Sequence, residues 1–163
     1  MIIRVKNKES LIFDDFIFRC AVGKKGISSR KKEGDFCSPR GSFNLGTVYY
    51  RSDRIRNVKT KLKLVKIKKS MVWCNDPKSK KYNSPIKIKD KLKHEKLHRR
   101  DNKYDIVVVI SYNLKKPIPF KGSAIFLHLT KHYKGTAGCI ALSKNDLLIL
   151  LRLINKKTKI RIF

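Results

Sequence analysis

The run Tyr104–Tyr112, YDIVVVISY, constrains the fold more than any other stretch of this chain. Its Val-Val-Val-Ile core is β-branched, and such side chains suit a pleated strand better than a helix. Successive strand side chains point to opposite faces, so an unbroken apolar run belongs to a strand buried on both sides. Around it the sequence is cut into further strand-sized pieces. Met1–Val5, Ser10–Phe13 and Phe16–Val22 have apolar or aromatic strand character, and Gly23 ends the last of them. Lys24 to Ser38 reads as a basic loop, and Ser38-Pro39-Arg40-Gly41 as a turn. Ser42–Arg51 resumes strand character, Leu62–Lys68 nearly alternates as a half-exposed strand does, and Met71–Cys74 is short and apolar. A polar loop follows through Tyr82-Asn83, and Lys87–Lys103 reads as loop or short helix.

One segment carries the helical pattern. Ser143 can cap it, Asp146 stands three residues on, and Leu and Ile supply a broad apolar face, which predicts a helix over about 143–154. Lys159–Phe163 closes the chain as a strand. With no repeat and no linker, residues 1–163 are expected to form a single mainly β domain with one C-terminal helix packed on it.

Composition excludes some classes. A hydrophobic content of 41% over 163 residues is enough for a real core. No apolar run approaches the ~20 residues that a membrane span needs. The first residues, MIIRVKNKESLIFDDF, have charges throughout and no continuous apolar stretch, so no signal peptide is seen. The four cysteines, Cys20, Cys37, Cys74 and Cys139, are widely spaced and contain no CxxC pair. That spacing suggests neither a zinc site nor a disulfide framework. The net charge of +29 would attract polyanions nonspecifically. The Lys residues are nevertheless spread over nearly the whole chain, which suits compositional drift as well as a binding face. A nucleic-acid-binding domain would interleave aromatics with the basic residues. The most basic run, Lys59–Lys69, contains none.

The chemistry points to Gly122–Leu142, GSAIFLHLTKHYKGTAGCIAL. Two short strands joined by a loop would carry His128 on the first and Cys139 at the start of the second, eleven residues on. A cysteine is nucleophilic as the thiolate and needs a base or a positive neighbour. Gly138 leaves room for a carbonyl to approach the backbone, where the N–H groups of Gly138 and Cys139 could hold an oxyanion. On spacing alone the pair is only a candidate, because a free Cys in a strand more often packs as a small hydrophobe.

His128 together with Thr136-Ala137-Gly138-Cys139 resembles the L,D-transpeptidase catalytic domain family of the YkuD type. That family carries a His near the end of one strand and an S/T-x-G-C segment on the next. The likeness extends along the whole chain to its compact single-domain branch. It runs through Arg19-Cys20-Ala21-Val22-Gly23, Lys32-Glu33-Gly34-Asp35, Ser38-Pro39-x-Gly41-x-Phe43, Tyr50-Arg51-x-Asp53-Arg54, Trp73-Cys74-Asn75-Asp76-Pro77, Tyr82-Asn83, His94-Glu95 and Tyr104-Asp105. Each tetrapeptide is weak, but the ordered set is specific. Many relatives have a second His where this chain has Ala137.

The resemblance implies a YkuD-like β-sandwich and a cysteine acyltransferase acting on peptidoglycan stem peptides. Cys139 would be the nucleophile and His128 the general base and acid, with no metal or organic cofactor. It also implies inactivation by carbapenem-type β-lactams. Thr136, Ser123, Tyr82, Asn83, His94 and Glu95 become candidate substrate-binding or cleft-lining residues. A hydroxyl such as Ser123, or a backbone carbonyl, would orient His128. Arg51 and Arg54 are candidates for the stem-peptide carboxylates. A solvated basic face is the preferred reading of both in a chain so rich in Lys and Arg. A hydrolase on the same bond, an L,D-carboxypeptidase, is the alternative within the enzyme class. A noncatalytic basic polyanion-binding domain is the alternative outside it. A monomer is expected. The family substrate places the protein in a bacterial periplasm or cell wall, whereas the lack of a visible signal leaves the cytoplasm as the other expectation.

Overall fold

The structure is a computed structural model and describes residues 1–6, 9–88 and 92–163. Along the chain run β1 (Ile2–Lys6), β2 (Ser10–Phe13), β3 (Phe16–Ala21), β4 (Ile27–Ser28), β5 (Ser38–Pro39), β6 (Gly41–Tyr50) and β7 (Leu64–Lys66). Then come β8 (Met71–Cys74), β9 (Ser84–Lys87), β10 (His94–Lys96), β11 (Ile106–Ile110), β12 (Phe126–Leu129), β13 (Ile140–Leu142), α1 (Lys144–Leu153) and β14 (Lys159–Ile162). The mainly β class with one C-terminal helix is what the sequence predicts. Ser143 caps α1 by accepting the Asp146 N–H at 3.1 Å, and Ile154 ends it.

The main sheet has nine strands in the order β11-β12-β13-β3-β2-β1-β14-β6-β7, and β6 also pairs with β11. That extra pairing closes the sheet on itself. The ten-residue β6 makes closure feasible: Gly41–Asn44 pairs with β14, while Leu45–Tyr50 pairs with β11. A three-stranded sheet, β10-β8-β9, and a two-stranded ribbon, β4-β5, complete the strands.

Strand β11 shows why its sequence is apolar throughout. Ile106, Val108 and Ile110 enter one core with Leu127, Leu129, Leu142 and the helix residues Leu147, Leu150 and Leu151. Val107 and Val109 enter a second cluster with Trp73, Tyr104, Phe126 and Cys139. The same alternation in β12 sends Leu127 and Leu129 to the first core and Phe126 to the second. His128 shares the parity of Phe126, so the fold places it on the face where Cys139 lies.

Three local expectations are corrected. Ser38-Pro39 is not only a turn, since it pairs in parallel with Ile27-Ser28. Ser84–Lys87, where no strand was expected, forms β9. In Lys87–Lys103 the described residues are loop, as expected, apart from Lys87 at the end of β9 and the strand β10 at His94–Lys96, and they contain no helix; residues 89–91 lie outside the described residues. Both β9 and β10 are polar and short. Hydrogen bonding on either side of the apolar β8 makes them strands, and local propensity does not.

Ser143→Ala removes the side-chain acceptor at the start of α1. It should lower the unfolding free energy by about 1 kcal/mol in urea denaturation with an unchanged m-value.

Candidate active site

Strands β12 and β13 are parallel neighbours, with His128 opposite Ala141. Parallel strands need the chain to travel back, and residues 130–139 do this. Their return is tied to the end of β3: Thr136 N–H donates to Val22 O and Lys24 N–H donates to Thr136 O, both at 2.9 Å. Cys139 therefore arrives immediately before β13, and both Cys139 and His128 line one cavity of about 750 Å³.

His128 is 6% exposed. Its Nδ1 lies 2.8 Å from the carbonyl oxygen of Leu129. A carbonyl only accepts, so Nδ1 carries the hydrogen and Nε2 keeps its lone pair. The orienting partner is thus a backbone carbonyl. Ser123, the hydroxyl considered for that role, donates instead to Glu33 Oε2 at 2.8 Å. Burial pushes the imidazole down to about 4, against the opposing effect of the Leu129 bond, and the charges of Lys103 and Arg99 push the same way.

Cys139 is also 6% exposed, and its thiol donates to Ala124 O at 3.2 Å. Burial pushes the thiol up to about 12, and the charge of Glu95 adds to this. Hydrogen bonding at the Phe126 backbone, the charge of Lys31 and the hydroxyl of Tyr104 oppose the rise without cancelling it. At neutral pH the pair is therefore thiol and neutral imidazole, and no thiolate–imidazolium ion pair is preformed.

The backbone around Cys139 is held from several sides. Gly138 has φ +144°, and a Cβ there would stand 2.8 Å from Cys37 O, so both conformation and space require glycine. Its N–H donates to Thr136 Oγ1 at 3.0 Å, and Thr136 Oγ1 donates to Cys139 O at 2.7 Å. Thr136 builds the turn, and the Gly138 N–H is occupied within it. Ser38, fully buried, donates to Gly138 O at 2.8 Å and accepts the Gly23 N–H at 3.0 Å. Because the peptide is planar and trans, the Cys139 N–H points away from Ser38. In the sequence Ser38 is legible as a turn residue and as part of a family landmark, but not as the partner of Gly138.

The remaining predicted residues divide. Tyr82 and Asn83 do not line the cavity. They hold the segment that receives the thiol. The Tyr82 hydroxyl donates to Glu33 and accepts the Gly122 N–H at 3.1 Å. Asn83 Oδ1 accepts from the Trp73 indole at 2.9 Å and from the Ala124 N–H at 3.0 Å. Its Nδ2 donates to the carbonyls of Tyr112 and Asn113 at 3.1 and 2.8 Å. Ala124 itself has φ 53°, an uncommon conformation for alanine, and this bracing maintains it.

Arg51 and Arg54 also lie outside the cavity; Arg51 is buried, whereas Arg54 is exposed, as a solvated basic face would have it. Arg51 grips Asp53 at 2.6 and 2.8 Å and donates to Arg99 O at 2.8 Å. Arg54 donates to Asp105 at 3.0 Å and to the carbonyls of Asp101 and Arg100 at 2.9 and 3.0 Å. Together they fasten the segment that carries Tyr104 to the end of β6. His94 bonds to Leu92 O at 2.7 Å and is not a cavity residue, whereas its neighbour Glu95 is. Strand alternation separates the two, a signal that reading Lys87–Lys103 as loop or helix hides. The Tyr104 hydroxyl donates to Glu95 Oε1 at 2.5 Å, and its ring stands edge-on to His128 at 5.2 Å.

Lys24, Lys31, Lys103, Lys131 and Lys134 line the cavity with Glu33 and Glu95. Among the described residues no group of His, Cys, Asp and Glu could hold a metal ion. No helix among them is long and apolar enough to cross a membrane. Asn83→Ala strips four hydrogen bonds from a buried site at φ 56°, where asparagine is tolerated better than alanine. The expected loss is about 3 kcal/mol, read by denaturant unfolding.

A family model described as the YkuD L,D-transpeptidase catalytic domain matches residues 3–162. No curated protein matches the chain. No solved structure matches it either. With a match over nearly its whole length, the chain belongs to the YkuD family of L,D-transpeptidase catalytic domains.

Proposed function

We propose that this protein is a cysteine-dependent L,D-transpeptidase acting on peptidoglycan stem peptides, with Cys139 as nucleophile and His128 as general base and acid. The observation that supports this best is a single cavity lined by a thiol and a neutral imidazole whose Nδ1 is committed to Leu129 O. The imidazole can then offer only Nε2 to a proton. Because the resting thiol is neutral, its proton moves to Nε2 as sulfur bonds to the substrate carbonyl carbon. The carbonyl belongs to the L centre of the third stem residue. The Cys139 N–H, turned away from Ser38 and without a partner among the described residues, is the backbone donor for the oxyanion, a contribution of about 3 kcal/mol. When the tetrahedral adduct collapses, the C–N bond breaks and His128 returns the proton to the departing D-alanine amine. The thioester left on Cys139 passes its acyl group to an acceptor amine, giving a 3→3 crosslink. Water as acceptor would make the same site a hydrolase.

The lysines along the cavity suit a substrate that bears several carboxylates, as a stem peptide does. Arg51 and Arg54 have no part in this reading, and Tyr82 and Asn83 act by bracing Gly122–Ala124.

Intact mass after incubation with a carbapenem tests the assignment. One covalent adduct on the wild type, absent from Cys139→Ala, is expected. His128→Ala should form it 10²- to 10⁴-fold more slowly, roughly the contribution of a positioned general base. A well-folded wild type that takes no adduct would overturn the reading.

The pH profile tests the protonation states. With the imidazole lowered to about 4 and the thiol raised to about 12, acylation should be flat through neutrality. It should fall only in acid, as His128 takes a proton and ceases to be a base. A bell centred near neutral pH would instead point to an ion pair and contradict the burial argument.

A further inference from the structure

We propose that Glu95 and Asn75 form the site for the primary ammonium of the acyl acceptor, and that Glu95 removes its proton in the second half-reaction. This inference rests on the transpeptidase reading and adds residues that it leaves unused.

The two residues are placed by strand register. β10 pairs antiparallel to β8 with Glu95 opposite Trp73, and the Asn75 N–H continues the ladder to Lys93 O at 3.1 Å. Asn75 lies two residues beyond Trp73, so Asn75 and Glu95 are diagonal neighbours on one face. Both line the cavity that holds Cys139 and His128.

Their unfilled acceptors suggest the ligand. Asn75 Oδ1 is the one buried side-chain oxygen or nitrogen among the described residues with no hydrogen-bond partner. Such an atom is costly unless something occupies it. Glu95 uses Oε1 for the Tyr104 hydroxyl, and among the described residues nothing bonds to Oε2. Glu33, also on the cavity wall, is near enough for its charge to act on Glu95. This is an acceptor-rich corner of the cavity, where two carboxylates stand near the Arg99 guanidinium, whose charge acts on Glu95 but whose Nε and Nη2 donors are taken by Asp101. It complements a group with several N–H donors and a positive charge, which an amine acceptor has before reaction.

The chemistry also needs a second base. After acylation the acceptor arrives as an ammonium and cannot attack until it loses a proton. Burial raises the Glu95 carboxyl above its usual range, which makes it a better base than an exposed carboxylate. The ammonium gives one proton to Glu95 Oε2, and the freed nitrogen bonds to the thioester carbonyl carbon. The C–S bond then breaks, and the remaining excess proton on nitrogen passes through His128 to the Cys139 sulfur. An amide, a thiol and a protonated Glu95 result, and Glu95 releases its proton to solvent.

The test separates the half-reactions with Glu95→Gln, which keeps size and an acceptor for Tyr104. Carbapenem adduct formation, followed by intact mass, should be no slower than in the wild type, because acylation uses His128 and the substitution removes a charge that raises the Cys139 thiol. Crosslinking of a stem tetrapeptide to a second tetrapeptide should fall at least ~100-fold, in the range of a lost general base. Hydroxylamine, uncharged at neutral pH, should still capture the thioester at the wild-type rate. Asn75→Ala should raise the KM for the acceptor about tenfold with a smaller change in kcat. Equal loss of adduct formation and crosslinking in Glu95→Gln would overturn the inference, as would unchanged crosslinking or equal loss with hydroxylamine. Absence of any adduct on the wild type would instead refute the Cys139 reading on which it stands.

Discussion

The structure depends on a strand that has water on neither face. β11 places Ile106, Val108 and Ile110 in one core and Val107 and Val109 in another. Its edges are also taken, by β6 on one side and β12 on the other. A strand buried in this way leaves its neighbours little freedom of register, because a slip of one residue would exchange the two cores. Strand β12 inherits that register, and with it the face to which His128 belongs. The small sheet β10-β8-β9 contributes Trp73 to the second cluster, and Glu95 and Asn75 to the adjoining cavity. The apolar packing that stabilises the fold therefore also positions His128 and Cys139 at the cavity.

Polar groups inside the fold act mostly on the backbone. Asn83 holds Ala124, Ser38 holds Gly138, Thr136 closes the turn before Cys139, and Tyr82 holds Gly122. Each satisfies buried donors or acceptors that would otherwise cost stability. Each also sets the direction of a peptide group beside the thiol. Arg51 and Arg54 do the same for the segment carrying Tyr104, where carbonyl oxygens and Asp105 take up their donors. Much of what looks like a functional motif in the sequence is therefore support for the motif next to it.

Burial also decides the electrostatics of the site. Desolvation favours the neutral form of both Cys139 and His128, so it raises one pKa and lowers the other. The abundance of positive charge on the chain does not reverse this: Lys31 pulls the thiol down less than burial raises it. The lysines stand along the cavity wall without bringing the thiol down toward neutral pH.

The sequence by itself determined the class of fold and singled out the two side chains, His128 and Cys139, on which the proposed chemistry rests. A run such as Ile106–Ile110 has few solutions other than a doubly covered strand. Ser143 and Asp146 mark a helix start by local chemistry alone. His128 and Cys139 stand in a short motif that is weak alone and becomes specific through the ordered set of landmarks along the chain. Those signals are local, so they survive in one dimension. The tertiary structure decided what depends on pairing between distant segments. Strands β9 and β10 are too polar to announce themselves, and β8 makes them strands. The loop between His128 and Cys139 leads to parallel neighbours because Thr136 is tied to Val22 and Lys24. The parity of β10 selects Glu95 over His94 for the cavity, and residue 38 meets residue 138 only after folding. Burial, which sets the protonation of Cys139 and His128, is a property of the packed core and is written in no single segment.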